Sequence, residues 1–284
     1  MESHMKLKLI AAAALLAATG AANAAMDGAA SGNGSLVLNF ISQGGTSATA
    51  GGDDMSAVFD LGISMDEFMT HQNEAGYTQT WSLTSANYGS AWNDLLAFSA
   101  NDEAIEFNVI ALDNVGVNYL TTNDVTTYPS LTNTNLSGFQ GMDLYINANN
   151  SRGTHATEAN GASTAVTTDP TNSYFRMING LGQGDTWLTR TTDTTKTLAT
   201  AQNFWALSVG PGAGTAQAIK SAFGVDLNGN GVIGAGEFGE WSVNLAAGTI
   251  TFMNPVPEPE TYAMLLAGLG LMGGIARRRR NKSV

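Results

Sequence analysis

The chain has 284 residues, no Cys, 33 Gly, 6 Pro, 13% charged residues and a formal net charge of −12. Without Cys there is no disulfide scaffold, thiolate metal site or cysteine nucleophile, and a pI near 4.5 lacks the basic footprint that nucleic-acid binding needs. A 43% hydrophobic fraction with 5 Trp is enough to fill a core, which argues against wholesale disorder.

The first segment is an address. From Met5 the chain runs MKLKLIAAAALLAATGAANA, with Lys6 and Lys8 as a basic start, an apolar stretch from Leu9 to Ala18, and Ala22-Asn23-Ala24 as an A-x-A cleavage site. This is the pattern of a secretory signal peptide, handled by the Sec machinery and signal peptidase. Residues 1–24 are therefore expected to be removed and the exported part to begin at Ala25.

Between the two ends, residues 25–256 hold 21 acids against 5 bases, net −16. Such a surface is soluble, is repelled by anionic membranes and suits cations or neutral glycans as partners. Along this body, strand-like patterns dominate: Ser35–Ile41, Ser56–Ile63, Gln79–Leu83, Ala104–Leu112, Phe204–Val209, and a hairpin formed by Trp241–Leu245 and Thr249–Phe252 around Ala246-Ala247-Gly248. A few short helices are expected between them. Ser64-Met65-Asp66-Glu67 reads as a capping box opening MDEFM, Ser90–Phe98 has helical spacing, and Leu136, Phe139, Tyr145 and Ile146 suit one helix face. The expected fold of residues 25–255 is mainly β, an antiparallel sandwich-like domain with a few short helices.

Three Thr-dense segments interrupt the body, at Thr121–Asn135, Gly153–Asn172 and Thr189–Gln202. Their composition suits solvated loops, and equally β-rich insertions, since Thr fits a solvent-facing strand. Exposed Thr clusters of this kind are also candidate O-glycosylation sites.

The one motif with chemistry in it is the twelve-residue run from Asp226 to Glu237. Asp226, Asn228 and Asn230 place oxygen donors at the first, third and fifth positions, Gly231 supplies the turn at the sixth, Val232 offers its carbonyl at the seventh, and Glu237 closes the run. A hard cation such as calcium takes six to eight oxygens, and alternating side chains can all point inward to supply them. The run resembles the calcium loops of EF-hand and dockerin proteins, which implies a structural Ca2+ held by Asp226, Asn228, Asn230, Val232 and Glu237. Thr215–Phe223 gives a helix-like approach, whereas Phe238 to Trp241 lead into a strand. With two carboxylates only, an affinity of about 10⁻⁴ to 10⁻³ M is expected, as in extracellular modules.

Other features are weaker. His71 and His155 stand apart, outside any H-E-x-x-H or triad context, and read as exposed loop residues. Gly180 to Gly184 and Gly210-Pro211-Gly212 read as turns, and Asp53-Asp54 and Asp102-Glu103 as paired acids of unknown separation. The Trp residues read as core, with a sugar-stacking platform where any is exposed.

The chain closes on Val256-Pro257-Glu258-Pro259-Glu260, an apolar stretch over 261–276, and Arg277, Arg278, Arg279 and Arg280. Sixteen helical residues span about 24 Å, short of a ~30 Å hydrocarbon core, so this is a marginal single hydrophobic helix whose Arg cluster stays on the cytoplasmic side. Within the closing segment 256–284, residues 256–280 closely resemble the PEP-CTERM sorting signal of Gram-negative bacteria. The resemblance implies recognition by an exosortase, transient residence in the inner membrane, cleavage near Pro257-Glu258-Pro259, and delivery to the outer surface or beyond. Ser35 to Phe68, with a second strand ending in Asp-Leu-Gly, more loosely resembles the opening of other exported PEP-CTERM proteins. These features together point to a non-enzymatic protein, structural or adhesive in a biofilm or exopolysaccharide matrix, with extracellular polysaccharide as a candidate partner. A calcium-stabilised glycan-binding module is the first alternative and a secreted hydrolase the second.

Overall fold

A computed structural model describes residues 25–28, 32–42, 55–99, 105–137, 139, 142–155, 160–166, 196–257, 267–269 and 271–272. Eleven strands form one antiparallel sheet: β1 Ser35–Ser42, β2 Met55–Ser64, β3 Thr78–Ser82, β4 Ile105–Asp113, β5 Asn118–Thr122, β6 Ala162–Val166, β7 Lys196–Thr197, β8 Gln202–Ser208, β9 Ile219–Ala222, β10 Glu240–Asn244 and β11 Thr249–Met253. Their order is β3-β11-β10-β8-β5-β4-β1-β2-β6, with β7 beside β4 and β9 beside β8. The sheet curls into a half-barrel. The mainly-β class is as the sequence indicates, with one curled sheet in place of two stacked ones.

Helices cover the sheet: α1 Met65–Met69, α2 Ser85–Tyr88, α3 Ala91–Ser99, α4 Asn133–Leu136 and α5 Met142–Asn150. The capping signal at Ser64 is real, since its hydroxyl accepts from Glu67 N at 3.4 Å, while Asn33 Oδ1 and Gly34 O take the N–H groups of Asp66 and Met65. Phe139 packs between α4 and α5, so the expected apolar face is shared by two short helices.

Both faces of the central strands are buried, which explains their nearly unbroken apolar sequence. On β1, Leu36, Leu38 and Phe40 enter one cluster with α1, α2 and α3, while Val37 and Ile41 enter a second with α4 and α5. Asn39 faces Asn108 on β4, donating from Nδ2 at 2.8 Å, and Tyr145 Oη donates to Asn39 Oδ1 at 3.2 Å. A one-residue slip would leave these buried amides without partners, so the polar contact pins the register. Among the described residues both clusters lie between Met26 and Phe252.

All three Thr-dense segments contribute strand residues, the third through β7 and the start of β8. Thr121 and Thr122 are buried in β5, where Thr122 Oγ1 accepts from Val109 N at 3.1 Å, and β6 lies inside the second segment. These threonines are closed to glycosylation, whereas 167–195 lie outside the described residues.

Two ionisable side chains are fully enclosed. Burial raises the Asp60 carboxyl to about 6, against one bond from Gly62 N at 2.9 Å. His155, expected to be exposed, is instead 0% accessible, and burial lowers it to about 4. Its Nε2 meets Ser163 Oγ at 3.1 Å, and Ser163 donates to Asn149 Oδ1 at 3.1 Å. The reason for the burial is packing against Gly161, where even a Cβ would fall 2.3 Å from the His155 Cα. The raised Asp60 stabilises the fold below its unfolded value near 3.8, and that contribution is lost as pH rises through about 6. The depressed His155 stabilises above about 6.5, and that is lost as pH falls through about 4. The two slopes oppose each other. Asp60→Asn is expected to gain about 3 kcal/mol at pH 7 and nothing near pH 3.5. Urea unfolding at both values checks this, and an equal gain at each would remove Asp60 as the source.

Candidate functional site

The run from Asp226 to Glu237 is an excursion from a strand. β9 and β10 pair with the same edge of β8, Trp205 opposite Ala222 and Asn203 opposite Glu240. Between them, Phe204 bonds to both sides, its carbonyl accepting from Phe223 N at 2.8 Å and its N–H donating to Gly239 O at 3.1 Å. One partner strand of β8 is thus opened at a single position, and 224–238 are extruded there. Gly239 N to Phe223 O and Val225 N to Glu237 O, both 2.8 Å, close the neck, with Gly224 and Phe238 bridged antiparallel.

The helix-like approach expected over Thr215–Phe223 is corrected by this geometry. Ile219–Ala222 is strand β9, because pairing to β8 outweighs the modest helix preference of Ala, Gln and Lys. The expectation of a strand after Glu237 holds. The entry is therefore strand–loop–strand, unlike the helix–loop–helix of an EF-hand.

Within the loop, two carboxylates organise the backbone. Asp226 Oδ1 accepts from Gly229 N at 2.7 Å and Asn230 N at 3.1 Å, and Oδ2 accepts from Gly231 N at 2.7 Å. Asn228 Oδ1 accepts from Asn230 N at 3.0 Å, and Asn230 Oδ1 from Val232 N at 2.8 Å. Glu237, only 4% exposed, takes Leu227 N and Asn228 N on Oε1 at 3.0 and 3.1 Å, and Gly234 N on Oε2 at 2.8 Å. Gly229 and Gly231 have φ of 74° and 79°, which a side chain would strain. The N–H of Gly231, followed by those of Gly229 and Asn230, holds the Asp226 carboxyl below the usual carboxylate range. Ile233 and Phe238 anchor the loop to the second cluster, with Phe238 5.4 Å from Trp205 ring to ring.

The five predicted ligands thus lie in one tight loop, with Asp226 and Glu237 bonded to backbone from opposite ends of it. Each carboxylate oxygen has two acceptor positions, so Asp226 Oδ2 and Glu237 Oε2 use one and keep one. Asn228 and Asn230 do the same, and the oxygen donor set suits a hard cation. Among the described residues no three His, Cys, Asp or Glu side chains cluster, so such an ion would rest on two carboxylates, amide oxygens and the Val232 carbonyl.

A groove of about 670 Å³ lies beside the loop, lined by Tyr128, Trp205, Lys220, Ser221, Asp226 and Val232. Trp205 Nε1 is buried there with no acceptor among the described residues. Trp205, Trp81, Trp92 and Trp241 are all buried, none more than 8% exposed, so these four are core and offer no stacking platform. Trp187, Asp53-Asp54, Asp102-Glu103 and Gly180 to Gly184 lie outside the described residues. His71 pairs with Glu74 and stacks on Tyr77 at 3.8 Å between ring centroids.

At the far end, β11 stops at Met253. Asn254 Nδ2 then donates to His71 O at 2.7 Å and Glu74 O at 3.0 Å, and Pro255 O accepts from Gly76 N at 3.1 Å. Val256 is 60% exposed and begins the tail. Glu258, Pro259 and Arg277 to Arg280 lie outside the described residues, and of 261–276 only 267–269 and 271–272 are described, as helical. Among the described residues no helix is long and apolar enough to cross a membrane.

No curated protein and no solved structure matches the chain. Residues 255–280 match the PEP-CTERM protein-sorting motif, starting at the last residue tied to the domain. The chain is an exported protein sorted by an exosortase through its C-terminal segment.

Proposed function

We propose that this β-rich domain works outside the cell as a structural or adhesive component of a biofilm or exopolysaccharide matrix, without enzymatic activity, and that its 226–237 loop holds a structural Ca2+. The observation that carries the reading is the junction at Pro255, where a closed domain ends and the sorting motif starts, so that cleavage beyond it releases the domain intact. A surface of net −16 over residues 25–256 favours neutral glycans over anionic ones. Deletion of the gene in the native host is expected to weaken the matrix and leave growth in suspension unchanged. An unaltered matrix, with polysaccharide that fails to retain the purified domain, overturns the role.

The groove beside the loop supports the glycan-binding module as a second reading, because Lys220 and Ser221 line it with polar groups. A glycan array on residues 25–257 tests it, and a zymogram panel tests the hydrolase alternative.

Calcium is expected to act on stability. An ion that binds only the folded state, at ~50 times its dissociation constant, adds about 2.3 kcal/mol. The chelated domain should therefore melt roughly 5–8 °C below the calcium-loaded one. Glu237→Gln should abolish most of the difference, and magnesium should substitute poorly because it demands a tighter octahedral shell. Equal melting with and without calcium would leave 226–237 as a loop held by its own hydrogen bonds.

A further inference from the structure

The two outer edges of the sheet are finished differently. At β6, Ala162 O accepts from Thr154 N and Ala162 N donates to Thr154 Oγ1, both at 3.0 Å, while the Arg152 guanidinium donates to Thr164 O at 2.9 Å. That edge is closed. At β3, Leu83 N donates to Gly248 O and Tyr77 O accepts from Asn254 N, so odd-numbered residues turn their backbone groups toward β11. Alternation along the strand turns those of Thr78, Thr80 and Ser82 outward. Asn87 Nδ2 caps Ser82 O at 3.0 Å. Among the described residues nothing pairs with the outward groups of Thr78 and Thr80, and both residues are exposed.

The usual protections of an edge are missing as well. β3 reads Thr-Gln-Thr-Trp-Ser, with no Lys, no Pro and no bulge in its register with β11. We infer that β3 is an interaction edge whose occupant is the β3 strand of a second copy of this chain, paired antiparallel about a twofold axis through Gln79. In that register Thr78 of each copy faces Thr80 of the other, and each such pair exchanges both of its backbone bonds. Every group used is unpaired among the described residues, and the Asn87 cap stays in place.

Symmetry supplies the complement, since the outward groups of Thr78 and Thr80 in one copy are the partners that those of the other require, and charge leaves this edge open to it. A body of net −16 repels a second copy wherever acids are exposed, and β3 has no charged residue. Beside it, Ser242, Thr251 and Thr80 stand in register across three strands as an uncharged hydroxyl row, with Thr80 Oγ1 2.9 Å from Thr251 Oγ1. Pairing continues such rows into the second copy and keeps Glu240, on β10, at their outer ends. A twofold contact uses the β3 edge of both copies, so this pairing closes as a dimer and does not itself propagate into a filament. The contact is small, so the dimer is weak and its share rises with concentration.

The test uses residues 25–257, which hold both described core clusters. Sedimentation velocity from low to high micromolar should show a reversible dimer. The chain has no Cys, so Gln79→Cys introduces a lone thiol, and the facing Cα atoms of a non-hydrogen-bonded pair, about 4.5 Å apart, suit a disulfide. Gln79→Cys should oxidise to a covalent dimer, while Ser242→Cys, two strands inside the edge, should stay monomeric. Thr80→Pro removes an outward donor, leaves the β11 ladder intact, and should lose the dimer. If that variant fails to fold, the pair of Cys variants decides. A monomer at every concentration, or a dimer that forms without the Gln79→Cys cross-link, overturns the inference.

Discussion

Phe68→Ala is expected to destabilise the domain by about 3–5 kcal/mol, the cost of emptying a fully enclosed aromatic position. Phe68 sits on α1, and its ring lies 5.0 Å from Phe252, 5.6 Å from Trp241, and 5.7 Å from both Phe204 and Phe223. Those partners come from β11, β10, β8 and the neck of the extruded loop, so one side chain joins the elements that frame the candidate site. Collapse into the cavity is hindered because each neighbour is itself held in a strand register. Urea unfolding followed by Trp fluorescence reads the loss, and Phe68→Leu should cost distinctly less because it keeps much of the volume. A change under about 1 kcal/mol for Phe68→Ala would show that the cluster repacks and that Phe68 is not its hub.

The strands legible in the sequence are those whose apolar residues crowd together. β1, β2 and β4 are buried on both faces and read as continuous apolar runs, and the β10–β11 hairpin shows Trp241, Ile250 and Phe252 alternating with polar residues. β5, Asn-Tyr-Leu-Thr-Thr, and β6, Ala-Ser-Thr-Ala-Val, were hidden because their few large apolar residues lie among Thr, Ser, Ala and Asn, which composition assigns equally to loops. In β9 the local preference pointed to helix, and only the long-range register with β8 reverses it. The loop from Asp226 to Glu237 was legible as a ligand pattern, since spacing alone carries it. Its closure was not, because the bonds that close it, from Phe223 and Gly239 to Phe204, join residues far apart in sequence. The matched apolar flanks Phe223 and Phe238, each followed by Gly, were the available sign of a loop with both ends on one strand partner. His155 had no such sign, as its burial depends on the backbone of Gly161 and on Ser163 across a turn.

Replacing Pro257 and Pro259 together with Ala is expected to leave the protein uncleaved and retained in the membrane of its native host. Proline fixes φ and biases the preceding residue toward extended backbone, so the sequence Pro257-Glu258-Pro259 favours the extended form that a processing enzyme binds. Alanine at both positions removes these restraints and lets helix extend upward from 261. The domain should be indifferent to the change, because Pro255 provides its last described backbone bond and Val256 is already exposed. Mass spectrometry and fractionation should therefore find a shortened, released wild type and a full-length, membrane-bound variant with the same melting temperature for the domain. That pairing separates a sorting defect from a folding defect, since a misfolded domain would lower the melting temperature and invite proteolysis. Wild type and variant with identical mass and fractionation, both keeping the Arg277 to Arg280 cluster, would show that the tail is an uncleaved anchor, and release of the domain would then have no basis.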